Sequence, residues 1–239
     1  FGSATTSGNW TLSGTGTLSL AGNATFAVAS GSTAVISAPL TLSTNVLTKT
    51  GAGTLRLNTP TLATPNILVS AGVLELQRVS TAFSGGTIRV SSGAELALRS
   101  TDTWGQSSTT TAATLILEGG TLSSNGSFNT LNNLTLNGGT INANGGFNAS
   151  FGSFQLGGTV TVNRNASIVQ SGTNGNINLA STVINVNAGA TLTSNAVLQG
   201  TSTLTKGGVG ELVLTGASTY SGGTTLNAGG LHIGNNAAL

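Results

Sequence analysis

The chain has 239 residues, of which 38% are hydrophobic and only 5% are charged, and its formal net charge is +2. The seven basic side chains form no clustered face for phosphate contacts, which excludes nucleic acid as an expected partner. The absence of cysteine excludes disulfides and thiolate metal sites, and no apolar run reaches the roughly 18 residues that a membrane span requires.

Short stretches of alternating apolar and small polar residues begin at Trp10 and continue almost to the C-terminus. Examples in chain order are "WTLSGTGTLSL", "GTLRLN", "GVLELQ", "TIRV", "ATLILEGG" and "ELVLT". A period of two residues with many Thr and Val predicts short strands, and the Gly, Asn and Ser between them predict turns. No segment has a sustained helical period. We therefore predict an all-β chain with a single continuous domain over residues 1–239.

Acidic residues are few, and three of them in the first half of the chain are spaced at 20 and 23 residues. Polysaccharide lyases and hydrolases require two or more carboxylates in one cleft. This near-regular spacing allows the three acids to approach each other along one face, with arginines interspersed. We interpret them as solvated ion pairs on an outer face and predict no catalysis, and a polysaccharide-degrading β-helix is the alternative. The acids are Glu75, Glu95 and Glu118, and the arginines are Arg56, Arg78, Arg89 and Arg99.

The stretch "RSTDTWGQSSTTTAAT", residues 99–114, is the longest part without alternation. Insertions in solenoids usually form loops on one side, and such loops are frequent binding surfaces. Trp104, with Asp102, Arg99 and Gln106, can stack on and hydrogen-bond a sugar, which makes surface glycans a candidate partner. In the competing interpretation, Trp104 folds back and covers the solenoid.

The middle of the chain repeats itself at a regular spacing of about 19 residues, close to the periods of known solenoid repeats. "TLILEGGTLSSNGSFN" from Thr114 aligns on "NLTLNGGTINANGGFN" from Asn133, and Asn125, Asn144 and Asn163 follow the same spacing. Other Leu-x-Leu pairs recur with a similar period. Such a period, made of strands and turns, is typical of a β-solenoid, in which each coil buries its apolar face by stacking on its neighbours. We expect a parallel β-helix of about 12 coils of roughly 19–22 residues.

The only histidine, His232, alternates with Leu231 and Ile233 and is therefore expected to point outward. One histidine cannot form a metal site without nearby acids or cysteines. The sequence thus predicts neither a metal nor a cofactor.

A module near the start of the chain returns near its end. "LTKTGAGTLRLN" from Leu47 aligns without gaps on "LTKGGVGELVLT" from Leu204, and the second copy continues through "STYSGGTTL" to "AGGLHIG". This pattern resembles the passenger-associated transport repeat, also called the autotransporter-associated β-strand repeat, of large surface proteins of Gram-negative bacteria. The modules span 204–235 and, in degenerate form, 47–78, where Pro60 and Pro65 stand in place of the Tyr-x-Gly-Gly segment. The matching residues are Lys206, Gly208, Gly210, Leu212, Leu214, Gly216, Tyr220, Gly222, Gly223, Thr224, Gly229 and Leu231.

The resemblance implies that the β-helix is a right-handed parallel β-helix. It also implies a passenger-type stalk that is extracellular or displayed at the cell surface, and that serves as a scaffold or adhesin without catalytic residues in its repeats. No amphipathic helix or charged coil covers the terminal strands, although isolated solenoids need caps for solubility. We therefore expect the partners to be adjoining solenoid segments, or further copies of the chain stacked head to tail into a filament.

Overall fold

The computed structural model describes residues 8–59, 62, 64–77, 83, 85–104 and 113–235. This part of the chain contains 24 strands and no helix, and so no helix that could cross a membrane. Pro60, Arg78 and Gln106, which the sequence singled out, lie outside it. In chain order the strands are β1 (Trp10–Leu12), β2 (Leu18–Ser19), β3 (Ala24–Ala27), β4 (Thr33–Ile36), β5 (Leu40–Thr41), β6 (Leu47–Thr50), β7 (Thr54–Leu57), β8 (Asn66–Val69), β9 (Gly72–Leu76), β10 (Thr87–Ser91), β11 (Ala94–Leu98), β12 (Thr114–Glu118), β13 (Thr121–Ser123), β14 (Asn129–Asn137), β15 (Thr140–Ala143), β16 (Phe154–Arg164), β17 (Ala166–Gln170), β18 (Ile177–Val186), β19 (Thr191–Ser194), β20 (Leu198–Gln199), β21 (Leu204–Gly207), β22 (Glu211–Leu214), β23 (Thr224–Leu226) and β24 (Gly230–Ile233).

Two long sheets of parallel strands run the length of the molecule. The first sheet has the order β1-β4-β7-β9-β11-β13-β15-β17-β19-β22-β24, and the second has the order β3-β6-β8-β10-β12-β14-β16-β18-β21-β23. Each strand pairs with the equivalent strand of the next coil, which confirms the predicted all-β parallel solenoid. The 11 strands of the first sheet give slightly fewer coils in the described residues than the 12 expected.

Some coils are also longer than predicted, and the extra residues lie along one edge. Arg56 and its register partner Glu75 are separated by 19 positions in the sequence, whereas Thr140 and its partner Ser167 are separated by 27. On what we call the short edge, one to five residues lead from the second sheet to the first. On the opposite long edge, five to fifteen residues lead back to the second sheet. A solenoid tolerates insertions there because they do not disturb strand stacking.

Inward-facing side chains form continuous apolar columns between the sheets. One column of the first sheet passes through consecutive coils in register, and all of its members are buried. Burial of each such side chain stabilises the fold by about 1.5–3 kcal/mol. Because each coil is covered only by its neighbours, this stabilisation exists only in the stack. The column consists of Leu55, Leu74, Leu96, Leu122 and Ile141.

Asparagine side chains form columns of their own outside the core. The Nδ2 of Asn163 donates to Oδ1 of Asn137 at 2.7 Å, and Nδ2 of Asn187 donates to Oδ1 of Asn163 at 2.6 Å. Asn144 is bonded to Asn125 in a separate pair, at 3.1 Å. Asn163 shares the 19-residue spacing of Asn125 and Asn144 in the sequence but does not continue their pairing in the structure. The coil that follows Asn144 is longer than the coil before it, and this places Asn163 over Asn137 in the second sheet.

Candidate functional site

The lysine of the second repeat is buried at the short edge. Lys206 lies on β21, two residues after Leu204, and its side chain is excluded from solvent. Its Nζ donates to the carbonyl oxygens of Gly207 at 2.8 Å, Gly208 at 2.8 Å and Ala228 at 3.0 Å. An ammonium group has three donors, so each of its hydrogens has a partner.

Lys49 makes the same set of contacts in the first repeat. It is also fully buried, and its Nζ donates to the carbonyl oxygens of Thr50 at 2.9 Å, Gly51 at 2.8 Å and Ala71 at 3.0 Å. In both repeats two acceptors belong to the lysine's own turn, and the third lies 22 residues further along, in the turn of the next coil. We call this arrangement a lysine clamp, because it ties two consecutive turns of the short edge together.

The glycines of the repeat allow these turns to approach closely enough for the clamp. Gly208 and Gly229 have φ values of +72° and +73°, in the left-handed region that favours glycine. A Cβ at Gly208 would overlap the carbonyl oxygen of Val186, and one at Gly229 would overlap that of Gly210. A larger residue would push the turns apart and move the carbonyl oxygens away from Nζ.

The two clamps differ in their electrostatic surroundings. Burial lowers the pKa of Lys49 from its ordinary value of 10.5 to about 8, because the charged form loses its water. Burial also lowers the pKa of Lys206, but the nearby Glu211 carboxylate opposes that change. The residue at the equivalent position of the first repeat is Thr54, which carries no charge. Only the second clamp therefore has a carboxylate near its ammonium group.

The remaining residues of the second repeat pack or close turns. Leu212 and Leu214 are buried in the core, and the hydroxyl of the buried Tyr220 is bonded to that of Thr224. His232 is exposed, as predicted, and its Nε2 lies 2.7 Å from Oε2 of Glu211. Among the described residues, no group of three His, Cys, Asp or Glu side chains could hold a metal ion.

Glu75 forms salt bridges with two arginines of the neighbouring coils. Its Oε2 lies 2.6 Å from Nε of Arg56 in the preceding coil, and its Oε1 lies 2.6 Å from an Nη of Arg99 in the following coil. The carboxylate is almost completely buried. The result is an ion-pair column over three coils, and both carboxylate oxygens are engaged.

The three glutamates do not share a face, and this part of the expectation is wrong. Glu118 belongs to β12 of the second sheet, where it pairs with Arg89 at 3.1 Å, whereas Glu75 and Glu95 belong to the first sheet. Glu95 is in register with Val73, and Glu75 is in register with Ala97. The repeat count assigned the acids to successive coils correctly, but it did not distinguish the two sheets of a coil.

Trp104 lies in the core and not on the surface of the long edge. Its exposed fraction is 0%, its ring packs edge-on against Phe83 with centroids 5.2 Å apart, and its backbone N–H donates to Oδ1 of Asn129 at 2.8 Å. This geometry matches the interpretation in which the tryptophan covers the solenoid. Arg99 is engaged with Glu75, and among the described members of the predicted glycan set Asp102 alone lines a cleft.

That cleft, of about 270 Å³, lies on the long edge and is lined by Thr101, Asp102, Phe128, Phe147 and Phe151. Phe128 is buried, but Phe147 and Phe151 are 56% and 49% exposed. The sequence repeat aligned Phe128 with Phe147, which concealed their different environments. A signal was present: two phenylalanines within the Gly- and Asn-rich stretch "NGGFNASFGS" have no place in an alternating strand.

Comparison with known families identifies the two clamp-bearing segments. Residues 47–76 and 204–233, about a quarter of the chain, match the family described as Passenger-associated-transport-repeat. No curated protein and no solved structure matches the chain. The matched segments contain both lysine clamps, and they lie in one continuous stack of parallel coils. The chain is therefore a parallel β-solenoid that carries two passenger-associated transport repeats.

Proposed function

We propose that the chain is a non-catalytic structural scaffold that stands outside a Gram-negative cell, at its surface or released from it. The observation that carries this proposal is the lysine clamp. Both repeats bury their lysine, and all three donors of each ammonium group go to backbone carbonyls of adjacent turns. The most distinctive residue of the repeat therefore serves the stack and is not available to a substrate.

The distribution of charge supports the same proposal. Arg56, Glu75 and Arg99 bridge three coils, and Arg89 and Glu118 bridge two. Because a column of like charges would repel itself, a stacked solenoid favours such alternation and otherwise uses neutral Asn, Ser and Thr. The absence of cysteine also allows the chain to fold without dependence on the redox state of its compartment.

Surface display tests the proposed location. The chain would be placed between an export signal and an outer-membrane translocator in a Gram-negative host, and protease added to intact cells would report its exposure. We expect the solenoid to become accessible from outside. Retention of the folded chain inside the cell would contradict the proposal. The Lys49→Met/Lys206→Met double variant should be displayed less than wild type, whereas Arg164→Met, an exposed residue, should be displayed normally.

Cleavage of a polysaccharide by this chain would most directly contradict the proposed non-catalytic function. The purified chain would be incubated with a panel of acidic and neutral polysaccharides, and the release of reducing or unsaturated ends would be measured. We expect no turnover. Cleavage that disappears in Glu95→Gln but persists in Glu118→Gln would assign the chain to the polysaccharide-degrading class instead.

We also propose that a further coil pairs with β23 and β24. Leu226 and Ile233 on these strands are 51% and 40% exposed, although apolar residues of these sheets are elsewhere mostly covered by the next coil. The coil comes either from an adjoining solenoid segment or from a second copy of the chain. Electron microscopy over a range of concentrations distinguishes them. Uniform fibres would identify a second copy, and dispersed short rods would identify an adjoining segment.

A further inference from the structure

The loop that presents the two exposed phenylalanines is closed by its own hydrogen bonds. The N–H of Phe147 donates to the carbonyl of Gly152 at 3.0 Å, and the N–H of Gly152 donates to that of Asn148 at 2.8 Å. The side-chain Oδ1 of Asn148 also accepts from the N–H groups of Ser150 at 3.0 Å and Phe151 at 2.9 Å. The backbone between the two phenylalanines is thus fixed locally.

The two following coils hold the tip of this loop. Asn176 Nδ2 donates to the carbonyl of Ala149 at 2.8 Å, and Asn178 Nδ2 donates to that of Ser150 at 3.2 Å. Gln199 Nε2 reaches both carbonyls, at 3.2 and 2.8 Å. Four hydrogen bonds from side-chain amides therefore fix a loop that contributes little to the core. Preorganisation of this kind increases affinity, because the loop does not have to be ordered when a ligand binds.

The aromatic rings form inclined walls of the cleft. The centroid of Phe151 lies 5.3 Å from that of Phe128, with 58° between the ring planes, and 6.1 Å from that of Phe147, with 65° between them. Burying a phenylalanine stabilises a protein by about 1.5–3 kcal/mol, and here two remain about half exposed on a rigid loop. An exposed aromatic cluster of this kind marks an interaction site.

Among the described residues of the lining, Asp102 provides the only ionisable side chain. Its backbone has a φ of +60°, and its N–H donates to the carbonyl of Phe128 at 2.9 Å, which fixes the residue beside the rings. Within the described chain its carboxylate takes part in none of the ion pairs or side-chain hydrogen bonds, and Arg99 is engaged with Glu75. Burial raises the pKa of Asp102, as expected for a carboxylate that lacks a positive partner.

From this geometry we propose that the cleft formed by Thr101, Asp102, Phe128, Phe147 and Phe151 binds a small organic cation, an alkylated ammonium group. The faces of aromatic rings attract cations, and the carboxylate provides the compensating charge. Among the described residues of the lining, Thr101 is the only one with a neutral polar side chain, whereas a sugar is held by several hydrogen-bonding groups. This binding site is independent of the scaffold function.

Calorimetric titration of the full chain with choline chloride tests the proposal, with 3,3-dimethylbutan-1-ol as the neutral ligand of the same shape. We expect choline to bind and the alcohol to bind at least about tenfold more weakly. Asp102→Asn preserves the backbone, because asparagine tolerates a positive φ, and should weaken choline binding about tenfold. Phe147→Ala and Phe151→Ala should weaken it about three- to tenfold. Glu118→Gln, which makes the same charge change in β12 and not in the cleft, should bind as wild type does.

Vesicle binding distinguishes the two sources of such a cation, a lipid headgroup and a free ligand. If the chain binds phosphatidylcholine vesicles but not phosphatidylglycerol vesicles, and free choline competes with this binding, the proposed site is supported and its ligand is a lipid headgroup. If the chain binds choline but no vesicles, the proposed site is supported and its ligand is a free molecule. Equal affinity for the neutral alcohol, unchanged choline affinity in Asp102→Asn, or occupation of the cleft by glucose but not by choline would each overturn the proposal.

Discussion

Replacement of Lys206 by methionine tests the lysine clamp. Methionine keeps most of the buried stem but removes the ammonium group and its three bonds of 2.8 to 3.0 Å. Among the described residues, no other donor reaches the carbonyl oxygens of Gly208 and Ala228. A buried acceptor left unpaired costs about 1–3 kcal/mol, the half-buried carbonyls of Gly208 and Ala228 cost less, and relief from burying a charge offsets part of the loss. We expect the free energy of unfolding to fall by about 2–3 kcal/mol.

Urea unfolding at neutral pH, followed by far-UV circular dichroism, measures this change. Arg164→Met is the matched control, because it removes the same charge from an exposed residue and should change the free energy of unfolding by less than about 0.5 kcal/mol. Hydrogen exchange should also accelerate around residues 204–233 and not around 114–164, since solenoid coils interact only with their neighbours. If Lys206→Met unfolds at the same midpoint as Arg164→Met, the clamp does not stabilise the stack.

Three further predictions concern the same stack. Gly229→Ala should cost at least about 1 kcal/mol more than Gly189→Ala in urea unfolding, because both residues have a φ of +73° but only a Cβ at Gly229 meets the neighbouring turn; equal costs would contradict the close approach. Glu75→Gln should destabilise by about 2 kcal/mol, since it leaves two arginines without their shared carboxylate, whereas Glu118→Gln, from an exposed pair, should cost less than about 1 kcal/mol. Between pH 8 and 10.5 the unfolded chain holds more protons at Lys49 than the folded chain, so the free energy of unfolding should rise with pH, by at most about 1.4 kcal/mol per unit. Lys49→Met should remove this rise, and an unchanged pH profile in that variant would show that Lys49 does not titrate there.

The strand register was predictable wherever two coils have the same length. The sequence repeat aligned Leu115 with Leu134 and Leu117 with Leu136, and these residues pair in β12 and β14. The same spacing failed for Asn163, because a longer coil intervenes after Asn144. A fixed period in the sequence therefore predicts pairing only until an insertion changes the length of a coil.

The candidate sites were less predictable than the fold. Period-two alternation with Leu204 places Lys206 on the inward face, but its acceptors include a carbonyl 22 residues away, whose position depends on the stacking of the next coil. The cleft around Asp102 likewise combines connections from three successive coils on the long edge. No local pattern records which loops of different coils meet.

The sequence by itself determined that this protein is an all-β stack, because alternating apolar residues at a repeated spacing can be buried only between neighbouring coils. It also located the two repeats. Only the tertiary structure decided that Lys49 and Lys206 are buried clamps, that Glu75 is held between two arginines, and that Phe147 and Phe151 remain exposed beside Asp102. These contacts join residues of different coils, and their geometry depends on the length of each connection, which a repeat pattern does not encode.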